Sequence, residues 1–153
     1  MFKTDKSFIF MFLHMPCFDP IRQKCVAATP EECIRQQVIS FLLEIVCVPS
    51  HLMEVEFSLS QIKKTSKDRV DILVHDFRRG GTIAKPWLLV ECKAEGKYTW
   101  GELEIQLNRY LKVLCPAYIM LGLGSEVRYF AFSNEKKTFL PVHELPEFPK
   151  TKK

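Results

Sequence analysis

"RVDILV" (Arg69–Val74) and "LLVECKA" (88–94) are the two stretches on which the fold turns. Both are rich in Val, Leu and Ile, as strands buried on both faces are. Each nevertheless carries charge: Asp71 in the first, Glu91 and Lys93 in the second. An unpaired buried charge is expensive enough to need a partner ion or a metal. Side chains alternate along a strand. Asp71 is therefore expected to share a face with Leu73 and His75, opposite Val70, Ile72 and Val74. Glu91 and Lys93 are expected beside Leu89, opposite Val90 and Cys92. If the strands are neighbours, two carboxylates and one ammonium converge near the strand ends.

Working outward, "MEVEFSLS" (53–60) alternates, with Met53, Val55, Phe57 and Leu59 facing one way, and reads as a half-buried strand. Before it, "TPEECIRQQVISFLLEIV" (29–46) reads as a helix. Thr29 is its N-cap, Pro30 suits the first helical position and Glu32 completes a capping box. Ile34, Val38, Phe41, Leu42 and Ile45 form its apolar stripe, and Pro49 ends it. After the charged pair, "WGELEIQLNRYLKVL" (100–114) is a second helix with a Leu103, Leu107, Leu111, Leu114 stripe, stopped by Pro116. "AYIMLGLG" (117–124) and "EVRYFAF" (126–132) read as two further strands, and the Pro-rich tail from Leu140 is expected to lie over the body or fray. The order is α-β-β-β-α-β-β. Three successive strands suggest an antiparallel meander, and the later helix allows a crossover. A mixed sheet flanked by helices, an α+β arrangement, satisfies both.

A chain of 153 residues suits one domain. We divide it into an N-terminal extension (1–27), the domain proper (28–149) and a basic tail (150–153). A composition of 47% hydrophobic and 26% charged residues is that of an ordinary globular protein. The net charge of +4 suits a polyanionic partner without demanding one. The six cysteines include no C-x-x-C pair, which argues against a structural zinc site and for a reducing, cytoplasmic compartment. The apolar "SFIFMFLHMP" (7–16) is too short to span a membrane. Asp5 in its flank and the lack of a small-residue cleavage site argue against export. A short strand or docking segment is the expectation, and homodimerisation is the simplest use of it if exposed.

Asp71 and Glu91 make the oxygen supply that magnesium favours: one or two carboxylates, with substrate phosphate and water completing the shell. Lys93, two residues after Glu91, projects beside it and can hold an attacking water or a phosphate oxygen. The plain alternative is a salt-bridged trio, Lys93 with Glu91 and Asp71 with Arg69. Gln106 and Tyr110, four apart on the second helix, share one face bordering the apolar stripe. Glu31 leads into the first helix's stripe, although the helix dipole alone favours an acid there. Lys63, Lys64, Lys67, Arg69, Arg78, Arg79, Arg109 and Lys112 are cations that could follow a phosphate backbone.

"TPEECIRQ", "RVDILV", "LLVECKA", "IQLNRY" and "FLPVHELPEFP" occur in one series. In this the chain resembles the small PD-(D/E)xK domains related to the N-terminal nuclease region of type I restriction enzyme R subunits, over residues 28–149. The resemblance implies a restriction-endonuclease-like αβββαβ core and DNA hydrolysis dependent on Mg2+ or Mn2+. It makes Asp71 and Glu91 metal ligands, with the Cys92 backbone carbonyl and Glu31 as further candidates. Lys93 would orient the attacking water, and Gln106 and Tyr110 would be the site-lining pair of a Q-x-x-x-Y helix motif. Arg35 and Gln36 match the family pattern without an assigned chemistry. Two departures are Ile105, where relatives commonly carry an acid, and the missing proline after "ECKA". There is no P-loop, so a motor would come from a helicase or other protein partner. DNA is the expected ligand and a membrane is not. Two competing readings are a binding module of the same fold without turnover, and a protein-interaction subunit docking through its apolar N-terminus and Pro-rich tail.

Overall fold

The computed structural model describes residues 16–78 and 81–150. The apolar stretch 7–15, Arg79 and most of the basic tail lie outside the described residues. The elements run β1 (Cys17–Asp19), β2 (Lys24–Val26), α1 (Pro30–Glu44), β3 (Met53–Ser58), β4 (Arg69–Val74), β5 (Leu88–Cys92), α2 (Trp100–Leu111), β6 (Tyr118–Gly122), β7 (Val127–Ser133) and β8 (Thr138–Val142). β1 and β2 pair as a small hairpin, and β3 to β8 form one sheet in chain order. All neighbours in that sheet are antiparallel except β5 and β6. The parallel pair is made possible by α2, which carries the chain back across the sheet. The meander and crossover expected from the sequence are both present, in a mixed sheet with a helix against each face.

Two apolar layers hold the helices in place. Val38, Ile39 and Leu42 of α1 pack on Ile72, Val74, Leu88, Val90, Cys92 and Met120. On the other face Leu103, Tyr110 and Leu114, from α2 and its last turn, pack on Leu73, Leu89, Ile119 and Leu121. Thr99 caps α2 in a full capping box with Glu102. Thr29 caps α1 by accepting from the Glu32 N–H, but the Glu32 side chain does not return the bond. It is buried instead in ion pairs with Arg22 and Arg35, so the expected capping box is only half formed. The α1 stripe is also rotated: Ile39 is fully buried, whereas Ile45 lies past the helix end and is 68% exposed.

The sequence misses two features of the sheet. The stretch from Thr138 to Val142 is not a loose tail but the edge strand β8, paired with β7 from Tyr129–Val142 to Ser133–Thr138. Pro141 is tolerated there because an edge strand has one unpaired side. Beyond it Leu145 and Phe148 are buried, with the Phe148 ring edge-on to Trp87 at 5.0 Å. The second feature is a break in alternation. Val55 and Ile72 belong to the α1 layer, but Phe57 and Val70 belong to the α2 layer. Glu56 has φ +55°, the left-handed region that bulky residues avoid, and it sits between the paired Val55–Ile72 and Phe57–Val70. That backbone turn reverses the pleat on both strands, so Val70 does not share a face with Ile72 and Val74.

Candidate active site

Asp71 lies at this break. The register of β4 and β5 runs from Val74–Leu88 to Ile72–Val90 and stops one residue short of Asp71 and Glu91. Where the next ladder bond would fall, the Cys92 N–H donates to Asp71 Oδ2 at 2.7 Å. β5 meanwhile stays paired with β6 through Cys92, and the Lys93 N–H donates to the Gly122 carbonyl at 2.9 Å. The strand carrying Glu91 and Lys93 is thus anchored on one side, while side-chain chemistry replaces the ladder on the other.

The counter-ion of Asp71 is Arg35 of α1, not the neighbouring Arg69. Arg35 Nη2 donates to Asp71 Oδ1 at 2.6 Å and Nη1 to Glu32 Oε2 at 2.6 Å. Glu56 and Glu31 stand 3.7 and 3.9 Å away from the same guanidinium. Burial works against its charge, but Asp71, Glu32 and Glu56 outweigh it and hold the Arg35 pKa above its ordinary value. The chain of ions continues outward. Arg22 of the β1–β2 turn pairs with Glu32 and with Asp19, and Gln36 donates to both acids. Arg35 and Gln36 therefore acquire roles that the sequence left open. The signal available was spacing: Arg35 sits three and four residues before the buried Val38 and Ile39, on the face that enters the core.

Glu91 is 2% exposed, and its Oε1 is 2.9 Å from Lys93 Nζ. Its Oε2 lies 3.2 Å from the Tyr110 hydroxyl, which is also 2.9 Å from the Arg69 carbonyl and accepts from Gln106 Nε2 at 2.6 Å. Burial first, and then the charge of Asp71, push the Glu91 carboxyl up to about 8, against the opposing pull of Lys93. The Tyr110 hydroxyl is shared as a donor between the Arg69 carbonyl and Glu91 Oε2, and Glu91 Oε1 accepts from Lys93. Burial and the Glu91 charge raise the Tyr110 hydroxyl pKa, so it stays neutral. Burial opposes the Lys93 ammonium, but the bond to Glu91 and the nearby acids hold its pKa above the ordinary value.

The fold thus brings Asp71, Glu91, Lys93, Gln106 and Tyr110 into one connected cluster. Glu31 stands at its margin, half-buried, its carboxyl raised by burial and by Asp71. Cys92 contributes its backbone N–H, and its buried thiol has its pKa raised by desolvation. Among the described residues, no group of three or more His, Cys, Asp and Glu is placed to hold a metal ion. That rules against an all-protein cage, whereas magnesium asks for only one or two carboxylates. Asp71 and Glu91 are the two carboxylates of the cluster that could hold such an ion.

The profile of the family described as Type I restriction enzyme R protein N terminus (HSDR_N) matches residues 30–146. No curated protein and no solved structure matches the chain. The match contains α1, the three-stranded meander, α2 and the strands that follow, with every member of the cluster between Glu31 and Tyr110 inside it. The chain belongs to the family of type I restriction enzyme R protein N termini.

Proposed function

We propose that this domain is a metal-dependent nuclease that hydrolyses DNA phosphodiester bonds. The supporting observation is the placement of Glu91, a buried carboxyl held between Lys93 and Tyr110 and destabilised as an anion by Asp71. Perturbed carboxyls of this kind cluster where chemistry is done. Mg2+ or Mn2+, when bound at Asp71 and Glu91, supplies charge neutralisation at phosphorus and a more acidic water. Lys93, whose ammonium is 2.9 Å from Glu91 Oε1, would hold the water or a non-bridging phosphate oxygen. Tyr110, itself held by Gln106, fixes the Glu91 side chain, and the pair would flank the scissile strand. Attack forms a bond from the water oxygen to phosphorus as that water gives up a proton to solvent, the P–O3′ bond breaks, and O3′ takes up a proton from solvent to become a 3′-hydroxyl opposite a 5′-phosphate. The family's name brings DNA and the other subunits of a restriction enzyme as partners, and the cysteine pattern a cytoplasmic setting. No described helix is long and apolar enough to cross a membrane.

The test is cleavage of plasmid and linear DNA by purified protein in Mg2+ or Mn2+. Asp71→Ala and Lys93→Ala are each expected to lower the rate at least about 100-fold. Cutting by either variant at the wild-type rate would sink the assignment. One observation favours a second reading, a binding module without turnover: Arg35 already neutralises Asp71 at 2.6 Å, as a cation would. Calorimetric titration with Mn2+ separates the two, since the second reading predicts no binding sensitive to Asp71→Ala.

A further inference from the structure

The cations that the sequence offers for a phosphate track do not stay together in the fold. Arg78 is spent on Asp76, at 2.8 Å, and lies over the Phe148 ring at 5.4 Å. Lys63 and Lys67, from the loop between β3 and β4, instead meet Arg109 and Lys112, from the end of α2, around a cavity of about 450 Å³. Among the described residues the one carboxylate lining it is Asp68, which pairs with Arg109 at 3.2 Å. Lys63, Lys67 and Lys112 are exposed, and none has a carboxylate within 4.0 Å among the described residues. A helix C-terminus attracts cations by its dipole, which accounts for Arg109 and Lys112 but not for the two loop lysines facing them.

This hollow adjoins the Asp71–Glu91 cluster. Arg109 precedes Tyr110, whose hydroxyl binds the Arg69 carbonyl and Glu91. Asp68, in the hollow, immediately precedes β4 and is three residues before Asp71, about 10 Å of chain at full extension. Of the five side chains in the cluster Lys93 alone is cationic, so a polyanion lying across it gains from further cations close by.

We propose that Lys63, Lys67, Arg109 and Lys112 form a cradle for the phosphate backbone of the nucleic acid beside the scissile bond. The proposal rests on the nuclease reading for its position and on the charge arrangement for the ligand. Its ligand is the sugar-phosphate chain and not the bases, so the cradle sets affinity and register without reading sequence.

Fluorescence anisotropy with a fluorescein-labelled DNA, single-stranded and duplex, tests it in chelator, where no cleavage occurs. The double variant Lys67→Gln, Lys112→Gln removes one charge from each side of the hollow. Lys136→Gln, Lys137→Gln removes the same charge from the β7–β8 turn at the far edge of the sheet. The cradle variant is expected to flatten the dependence of log Kobs on log salt by about 1.4 to 1.8, measured between about 50 and 200 mM salt. It is also expected to weaken binding at least about tenfold at the lower salt, with the control within about twofold of wild type. Equal loss in both variants, unchanged binding in the cradle variant, or no binding by wild type would overturn the proposal. Cleavage by the same proteins keeps the two readings apart. The cradle predicts a raised KM with kcat kept at saturating DNA, whereas failure of the nuclease reading shows as Asp71→Ala and Lys93→Ala without effect, leaving the anisotropy result to stand by itself.

Discussion

Glu91 and Arg35 are opposite solutions to one problem, a charge taken out of water. Glu91 escapes by holding its proton. In the unfolded chain it titrates near the ordinary 4.5, and in the fold near 8. Between those values the native state keeps a proton that the unfolded state has lost, so this residue makes stability fall as pH rises across the window. Glu91→Gln has no charge to bury. It is expected to raise the Tm relative to wild type near pH 9 and not near pH 4, and an equal difference at both ends would refute the raised titration. Arg35 cannot lose its proton and is paired on both sides instead. Arg35→Met leaves Asp71 buried without a counter-ion and Glu32 with Arg22 alone. A loss of about 3 to 5 kcal/mol in urea unfolding is expected.

At the scale of elements, the β1–β2 hairpin is joined to the site although it precedes the residues matched by the family. Asp19, fully buried, accepts from the Ile21 and Arg22 N–H groups at 2.7 and 2.8 Å, and from Arg22 Nε and Gln36 Nε2 at 2.6 and 2.9 Å. It thereby closes the hairpin turn and ties it to α1. Arg22 passes that restraint to Glu32, whose other oxygen holds Arg35. Asp19→Asn weakens charge-assisted bonds and is expected to lower stability by about 2 kcal/mol and to expose 17–26 to limited proteolysis before the rest of the chain. Melting of the hairpin and the body together, with no early cleavage, would show that the hairpin is not a separable brace. α2 offers a comparison. Its Thr99 cap is exposed and remote from the ion chain, so Thr99→Ala is expected to lower stability by about 1 kcal/mol while leaving Mn2+ affinity unchanged.

For the whole molecule, the two helices grip opposite faces of one sheet, and the cluster sits where the β4–β5 register stops. Arg35 reaches it from the α1 side and Tyr110 from the α2 side. Cation binding should therefore be felt across both layers. Because Glu91 holds a proton at neutral pH, Mn2+ bound through its carboxylate is expected to release about one proton near pH 7 and almost none near pH 9. Calorimetry in two buffers of different ionisation enthalpy measures this. Release that is absent at both pH values would mean that Glu91 is not a ligand.

Strand and helix content, the meander, the crossover and the convergence of Asp71, Glu91 and Lys93 were legible in the chain because they follow from local periodicity and from charges too costly to leave in a sheet alone. The cluster's members were also legible through the motif series, Gln106 and Tyr110 included. Three things were decided only by tertiary structure. The reversal at Glu56 needs a left-handed backbone that no residue type at that position announces. β8 needs an edge to pair with, and Pro141 conceals it from any local rule. The partner of Asp71 comes from a helix thirty-six residues away rather than from the adjacent Arg69, because only packing of α1 on the sheet brings Arg35 within reach. Periodicity assigns a residue to a face, but which charges meet across that face depends on how the layers dock.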